Sequence, residues 1–122
     1  YWALRHHRDI DRYAASQQAK RWKPEDFVDT IHRRIGVLGL GTIGQDTARK
    51  FALLGFPTMG WSRTPKTVPG VETFHGADGL DRLAARADIL VNVLPLTRDT
   101  RGLLDAKLFA KLPKGAYLIN MA

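Results

Sequence analysis

From residue 35 onward the apolar positions alternate between short continuous runs and stripes at helical spacing. Ile35-Gly36-Val37-Leu38 is a β-branched and aliphatic run of the kind buried in parallel strands. Apolar residues then recur at 43, 48, 51, 52 and 54 with Arg49 and Lys50 turned outward, which predicts a helix from Ile43 to Leu54 stopped at Gly55. Phe56 to Trp61 reads as a second strand, with Pro57 tolerated only at its beginning. Past the turn-rich Thr64 to Gly70, Val71 to Phe74 adds a short strand. Asp78 is then placed to cap a helix over Gly79 to Arg86 in an Asp-x-x-Asp arrangement. Ile89 to Leu94 is the clearest central strand, apolar on both faces apart from Asn92. A short helix behind Asp105 runs to Leu112, where Pro113 and Gly115 stop it, and Ala116 to Asn120 forms a last strand. Such alternation, with no repeat and no low-complexity tract, predicts an α/β fold in which helices flank a parallel sheet.

The first 34 residues follow a different pattern. Leu4, Ile10, Tyr13, Ala14 and Gln17, amid Ala, Arg and Gln and with no Gly or Pro, predict one long helix reaching about Lys20. Pro24 disfavours helix at Lys23, and the stretch to Arg34 reads as a polar connector. The chain thus divides into a leading helix and connector, 1–34, and an α/β unit, 35–122. His6 and His7 are adjacent, so in a helix they point about 100° apart, and no carboxylate stands at a ligand spacing from them. They read as a solvated helix face, and no metal site is expected.

A length of 122 residues, 44% of them hydrophobic, supplies one compact unit or a piece of a larger one. The first residue is Tyr1 and not Met, so the chain is expected to be incomplete at that end. With zero cysteines there is no disulfide framework, thiolate zinc site, iron–sulfur cluster or cysteine nucleophile, and a reducing compartment, the cytoplasm, is expected. The longest apolar stretch, Ile89 to Leu96, is broken by Asn92 and Pro95 and falls far short of the ~20 residues that cross a bilayer. Charge interrupts Trp2 to Arg8 where a secretion signal needs an apolar core. The net charge is +7, but it is spread: eight Lys/Arg face five Asp/Glu in residues 1–34, and eleven face seven in 35–122. Without a basic helix or stripe, no nucleic acid is expected, and a small anionic ligand fits better.

The candidate chemistry lies in Gly39-Leu40-Gly41-Thr42-Ile43-Gly44, a G-x-G-x-x-G pattern between a predicted strand and a predicted helix. In that context Gly39 makes the tight exit from the strand, Gly41 admits a pyrophosphate close to the backbone, and Gly44 lets helix and strand approach. The first-turn N–H groups, from about Thr42 and Ile43, would face the anion. This is the signature of a Rossmann-type dinucleotide site; the alternative is a strand-to-helix turn that binds nothing. Where a free ribose 2′-hydroxyl is bound, an Asp or Glu usually follows about 20 residues on. No acid occurs from Thr47 to Val71; Ser62, Arg63 and Thr64 stand there instead, with Lys66 nearby. A positive, carboxylate-free pocket suits a 2′-phosphate, so NADP is favoured over NAD. Alternatively, Arg63 and Lys66 are the solvated tips of a loop.

Together, Gly39 to Gly44, Trp61 to Thr64, Val93 to Thr97 with Thr100 and Gly102 to Leu104, and Leu112 to Ala122 resemble the D-isomer-specific 2-hydroxyacid dehydrogenases. Trp61-Ser62-Arg63-Thr64 is most similar to the NADP-dependent glyoxylate/hydroxypyruvate reductases within that family. The resemblance covers essentially the whole chain, including the leading helix with Tyr13 and Trp22. It implies that Leu94 and Pro95 border the adenosine side of the cofactor, that Thr100 supplies the hydroxyl after them, and that Ala122 stands at the edge of the active site. The family's catalytic Arg follows the Asn-x-Ala of Asn120 to Ala122, and its Glu and His come later still. None of His6, His7, His32 or His75 occupies a matching place, so no catalytic residue is assigned. The resemblance also implies a small 2-oxoacid or 2-hydroxyacid substrate in the complete enzyme and a homodimer in which the leading helix takes part. The expectation is therefore an incomplete Rossmann cofactor domain preceded by a long helix, whose sheet lacks later strands and leaves an apolar edge. A non-catalytic nucleotide-sensing or corepressor-like module on the same fold is the alternative.

Overall fold

The computed structural model describes residues 1–24 and 26–121; Glu25, inside the predicted break, and Ala122 lie outside the described residues. Five strands, β1 (Ile35–Leu38), β2 (Thr58–Ser62), β3 (Glu72–His75), β4 (Ile89–Asn92) and β5 (Tyr117–Asn120), form one sheet in the order β3-β2-β1-β4-β5. Every pairing is parallel, and the register aligns Leu38 with both Trp61 and Asn92, and Asn92 with Asn120. Helices α3 (Thr42–Leu53), α4 (Gly76–Ala84) and α5 (Ala106–Phe109) make three of the four crossovers, and the loop between β2 and β3 makes the other. This is the Rossmann-type arrangement that the alternation of runs and stripes predicts.

All of β1, β2 and β4 is buried. One core layer gathers Leu38, Met59, Trp61, Leu83 and Leu90 with Leu108 of α5; the other gathers Ile35, Val37, Leu40, Ala48, Phe56, Ile89 and Val91. Gly36 permits the tight contact with α4, since a Cβ there would stand 2.6 Å from Leu83 Cδ2.

The leading helix departs from expectation. It is broken into α1 (Trp2–His7) and α2 (Ile10–Gln18), with Asp9 between them in the left-handed region at φ 49°, a conformation that Asp tolerates better than most residues. An Arg5–Asp11 ion pair spans the break. The cause is packing. Ala3 and His7, one helical turn apart, are the buried positions of α1, whereas no residue of α2 is buried. The reading of His6 and His7 as a solvated face is therefore corrected. His7 is 5% exposed and meets Phe56 edge-on at 4.9 Å, and His6 stacks on Tyr117 at 4.2 Å. His6 Nε2 and His7 Nδ1 are buried without a hydrogen-bond partner.

Two helix limits also differ. α4 begins at Gly76, whose φ of 68° turns the chain straight out of β3, so Asp78 lies in the first turn instead of capping it. There its carboxylate still complements the helix dipole. α5 starts behind Asp105 as expected, with Asp105 capping it by accepting from Leu108 N–H at 2.8 Å, but the helix ends at Phe109 and tightens into turns through Leu112. Among the described residues no helix is long and apolar enough to cross a membrane.

The starts of β1 and β4 are locked by one ion pair. Arg34 donates to Asp88 Oδ2 from its backbone N–H (2.7 Å) and Nε (3.0 Å), and to Oδ1 from Nη2 (3.0 Å). Burial alone would raise the Asp88 carboxyl; the Arg34 side chain and backbone donors outweigh it and hold the group below its ordinary value. Asp88→Ala is expected to cost on the order of 1–3 kcal/mol in urea unfolding, because three donors lose their acceptor. The stabilisation from Asp88 is present above its unfolded value of about 3.9 and is lost as pH falls through the lower folded value. The histidines act in a higher window. Burial first, and the Arg33 charge second, lower both His6 and His7. The unfolded imidazoles take up protons below about 6.5 while the folded ones resist, so urea midpoints are expected to fall from pH 7 to pH 5. His7→Leu is expected to flatten that fall, and an unchanged slope would contradict the packing described.

Candidate functional site: a cleft at the carboxyl ends of the strands

At the carboxyl ends of β1 and β4 the winding reverses, since β2 lies on one side of β1 and β4 on the other. Such a switch point leaves a crevice that neither neighbouring crossover covers. A cleft of about 650 Å³ opens there. It brings together Gly39, Gly41, Thr42, Ile43, Gly44, Ser62, Arg63, Thr64, Lys66, Leu94, Pro95 and Thr100. Of the residues singled out from the sequence, Ala122 alone lies outside the described residues.

The floor of the cleft is the turn from β1 into α3. Gly39 adopts φ 100°, and its N–H continues the sheet by donating to Trp61 O at 2.9 Å. A Cβ on Gly44 would lie 1.7 Å from Gly39 O, so α3 abuts the turn as only glycine allows. A Cβ on Gly41 would meet nothing within 4 Å; it would project into open space at the turn. Gln45 braces the turn by donating from Nε2 to Leu40 O at 3.0 Å. No side chain caps α3, no carboxylate sits in its first turn, and Gln45 N–H is bonded back to Gly41 O. The preceding N–H groups, of Thr42, Ile43 and Gly44, are the unsatisfied donors of a helix start. With the helix dipole behind them they favour an anion, and the absence of a Cβ at Gly41 leaves room for one.

One wall is the loop after β2. Ser62 is buried and donates its hydroxyl to Thr64 O at 2.7 Å, which braces the turn that presents Arg63 and Thr64. The other wall follows β4. Asn92 Oδ1 accepts from Leu94 N–H at 3.3 Å, and Asn92 Nδ2 donates to Asn120 Oδ1 at 2.8 Å, tying the ends of β4 and β5. Leu94 packs against Gly39 and the core. Thr100 Oγ1 donates to Pro95 O at 2.6 Å and accepts from Thr97 N–H at 2.8 Å. Its hydroxyl therefore shapes the loop in this structure.

The expectation of a carboxylate-free pocket is corrected. The sequence around Arg63 holds no acid, but the loop after β4 brings Asp99 to it, with Nη1 and Oδ2 2.7 Å apart. Asp99, Gln45 and the Asn92–Asn120 bridge escaped the reading from sequence. Their partners are set by the fold, and only the polar interruption of an apolar strand at Asn92 left a trace. Among the described residues no group of three or more His, Cys, Asp or Glu could hold a metal ion.

Residues 1–122 match the family described as D-isomer specific 2-hydroxyacid dehydrogenase, NAD binding domain. The chain belongs to this family. It is 40% identical over 121 residues to glyoxylate/hydroxypyruvate reductase A of Serratia proteamaculans, covering 99% of the chain and 39% of that protein. Among solved structures it is similar to a D-isomer specific 2-hydroxyacid dehydrogenase of Xanthobacter autotrophicus Py2 in complex with NADPH and MES (TM-score 0.94, 45% identity, 98% of this chain and 50% of that one). It is also similar to an NADPH-dependent glyoxylate/hydroxypyruvate reductase of Sinorhizobium meliloti in complex with NADP and sulfate (TM-score 0.91, 43% identity, 98% of this chain and 39% of that one). The chain thus spans about two-fifths of the length of the curated family members it matches.

The two glycines of the turn separate packing from access. Gly44→Ala is expected to lower stability by about 3 kcal/mol or more, because its methyl would overlap the Gly39 carbonyl. Gly41→Ala is expected to stay within about 0.5 kcal/mol of the unmodified protein. Paired urea titrations check both.

Proposed function

We propose that this chain is the cofactor-binding portion of an NADPH-dependent 2-hydroxyacid dehydrogenase that reduces glyoxylate, hydroxypyruvate or a similar 2-oxoacid. The observation that carries the reading is that the uncapped start of α3 and the Arg63 loop open onto one cleft. Those residues fit the cofactor. The N–H groups of Thr42, Ile43 and Gly44 would take the diphosphate, with Gly41 leaving the space for it. Arg63, Thr64 and Lys66 would take the 2′-phosphate, on a turn braced by Ser62. Leu94 and Pro95 would border the adenosine, on a loop held in shape by Thr100. A guanidinium offers a planar fork of donors that suits a phosphate better than it suits a neutral hydroxyl.

NADPH, when bound, supplies the hydride for reduction of the oxoacid carbon. The chain's own part is positional. The braced turn and the two loops would hold the nucleotide at fixed points and so restrict its orientation in the cleft. No residue of 1–122 is assigned a catalytic role. The two relatives whose names specify glyoxylate and hydroxypyruvate support the substrate class.

Residues 35–122 are the nucleotide-binding unit in this reading, and residues 1–34 its leading segment. A homodimer through the nucleotide-binding unit, with the leading segment taking part, is part of the proposal. It is supported by α2, which buries no residue, and by Trp22, 94% exposed, with Phe27 and Ile31 also exposed. The lack of cysteine supports a cytoplasmic location. The even spread of positive charge supports a small anionic ligand in preference to a nucleic acid.

Fluorescence titration tests the cofactor. NADPH is expected to bind more tightly than NADH, and Arg63→Ala to reduce the ratio of the two affinities about tenfold by removing a charge-assisted bond to the phosphate. Tighter binding of NADH by the unmodified protein would overturn the assignment.

A further inference from the structure

Arg63 and Asp99 face each other across the mouth of the cleft, one on the loop after β2 and the other on the loop after β4. Neither is held there by burial: their side chains are 78% and 68% exposed. What presents them is the shape of the two loops. The Ser62 hydroxyl closes the turn beneath Arg63. On the other side, Thr97 N–H donates to Thr100 Oγ1 at 2.8 Å and Arg101 N–H donates to Thr97 O at 2.9 Å, so Asp99 sits at the crest of a braced turn. The carboxylate thus occupies one donor of the guanidinium on which the proposed function places the 2′-phosphate.

We propose that Asp99 is a positioning residue that moderates cofactor preference: its carboxylate competes with the 2′-phosphate for the Arg63 guanidinium, and NADPH binding weakens or displaces the pair. The proposal rests on the cofactor reading above. A phosphate dianion and a carboxylate within reach of one guanidinium repel each other, so NADPH binding carries the cost of separating the pair. NADH has no such group and leaves the pair intact. Asp99 therefore acts against NADPH and is neutral towards NADH, so the preference built by Arg63 and Lys66 is narrower than those two cations alone would make it. An exposed ion pair is weakly held, so the exchange of anions is a small effect and one sensitive to salt.

The test is a set of affinities for NADPH and NADH, measured by fluorescence on the unmodified protein, Asp99→Asn and Asp99→Glu, at low salt and at about 0.5 M salt. Asp99→Asn is expected to tighten NADPH about 2–5-fold at low salt, the size of an exposed pair, and to leave NADH unchanged. The gain is expected to vanish at high salt, and Asp99→Glu to behave as the unmodified protein. Weaker NADPH binding in Asp99→Asn would mean that Asp99 holds Arg63 ready for the phosphate, and would overturn the proposal. So would equal shifts for both nucleotides, which mark a merely structural role, or no shift at all. Failure of the underlying reading shows separately, in the unmodified protein: if it prefers NADH or binds neither nucleotide, the cofactor assignment falls and the proposal falls with it.

Discussion

The site depends on the contact between the start of α3 and the end of β1. Only a hydrogen at position 44 fits against the Gly39 carbonyl, where a Cβ would lie 1.7 Å from the oxygen. That approach places the helix axis at the mouth of the strand and leaves its first N–H groups without a side-chain cap. A helix start so placed has either water or an anion to satisfy it, and its dipole favours the anion. Gln45 secures the geometry from inside by holding Leu40 O, so the turn does not rely on a ligand for its shape.

Around this floor the walls are built separately. The loop after β2 and the loop after β4 come from strands on either side of β1, and their meeting is a product of sheet order. Each is stiffened by short-range hydrogen bonds from hydroxyls: Ser62 on one side, Thr97 and Thr100 on the other. Side-chain hydroxyls that bond to nearby backbone make a turn specific without burying it. Rigid loops carrying exposed, charged side chains are well suited to a ligand that exchanges with solvent.

The leading segment shows how packing overrides a local pattern. Alanine, arginine and glutamine favour helix throughout residues 2–18, yet the chain breaks at Asp9. The sheet needs cover beneath β5 and at the start of β2, and Ala3, His6 and His7 give it, with the rings of both histidines set against Tyr117 and Phe56. α2 then departs and keeps its apolar side exposed.

Much of the fold was legible because buried parallel strands are apolar on both faces and amphipathic helices carry a stripe. The runs at 35–38 and 89–92 and the stripe from Ile43 show both patterns directly. The glycine turn was legible for a steric reason that acts within six residues. Element ends were less so, since the ends of α4 and α5 depend on the positive φ of Gly76 and on turns that compete with helix. Polar partners far apart in sequence were not legible at all. Arg34 and Asp88, Asn92 and Asn120, and Arg63 and Asp99 are joined across 54, 28 and 36 positions, and each meets its partner only because the strands stack in one order and register. Local sterics and hydrophobic period determine which elements form. Where the charges end up is decided by the tertiary structure, because an ion pair depends on distance in space, which the spacing along the chain does not set.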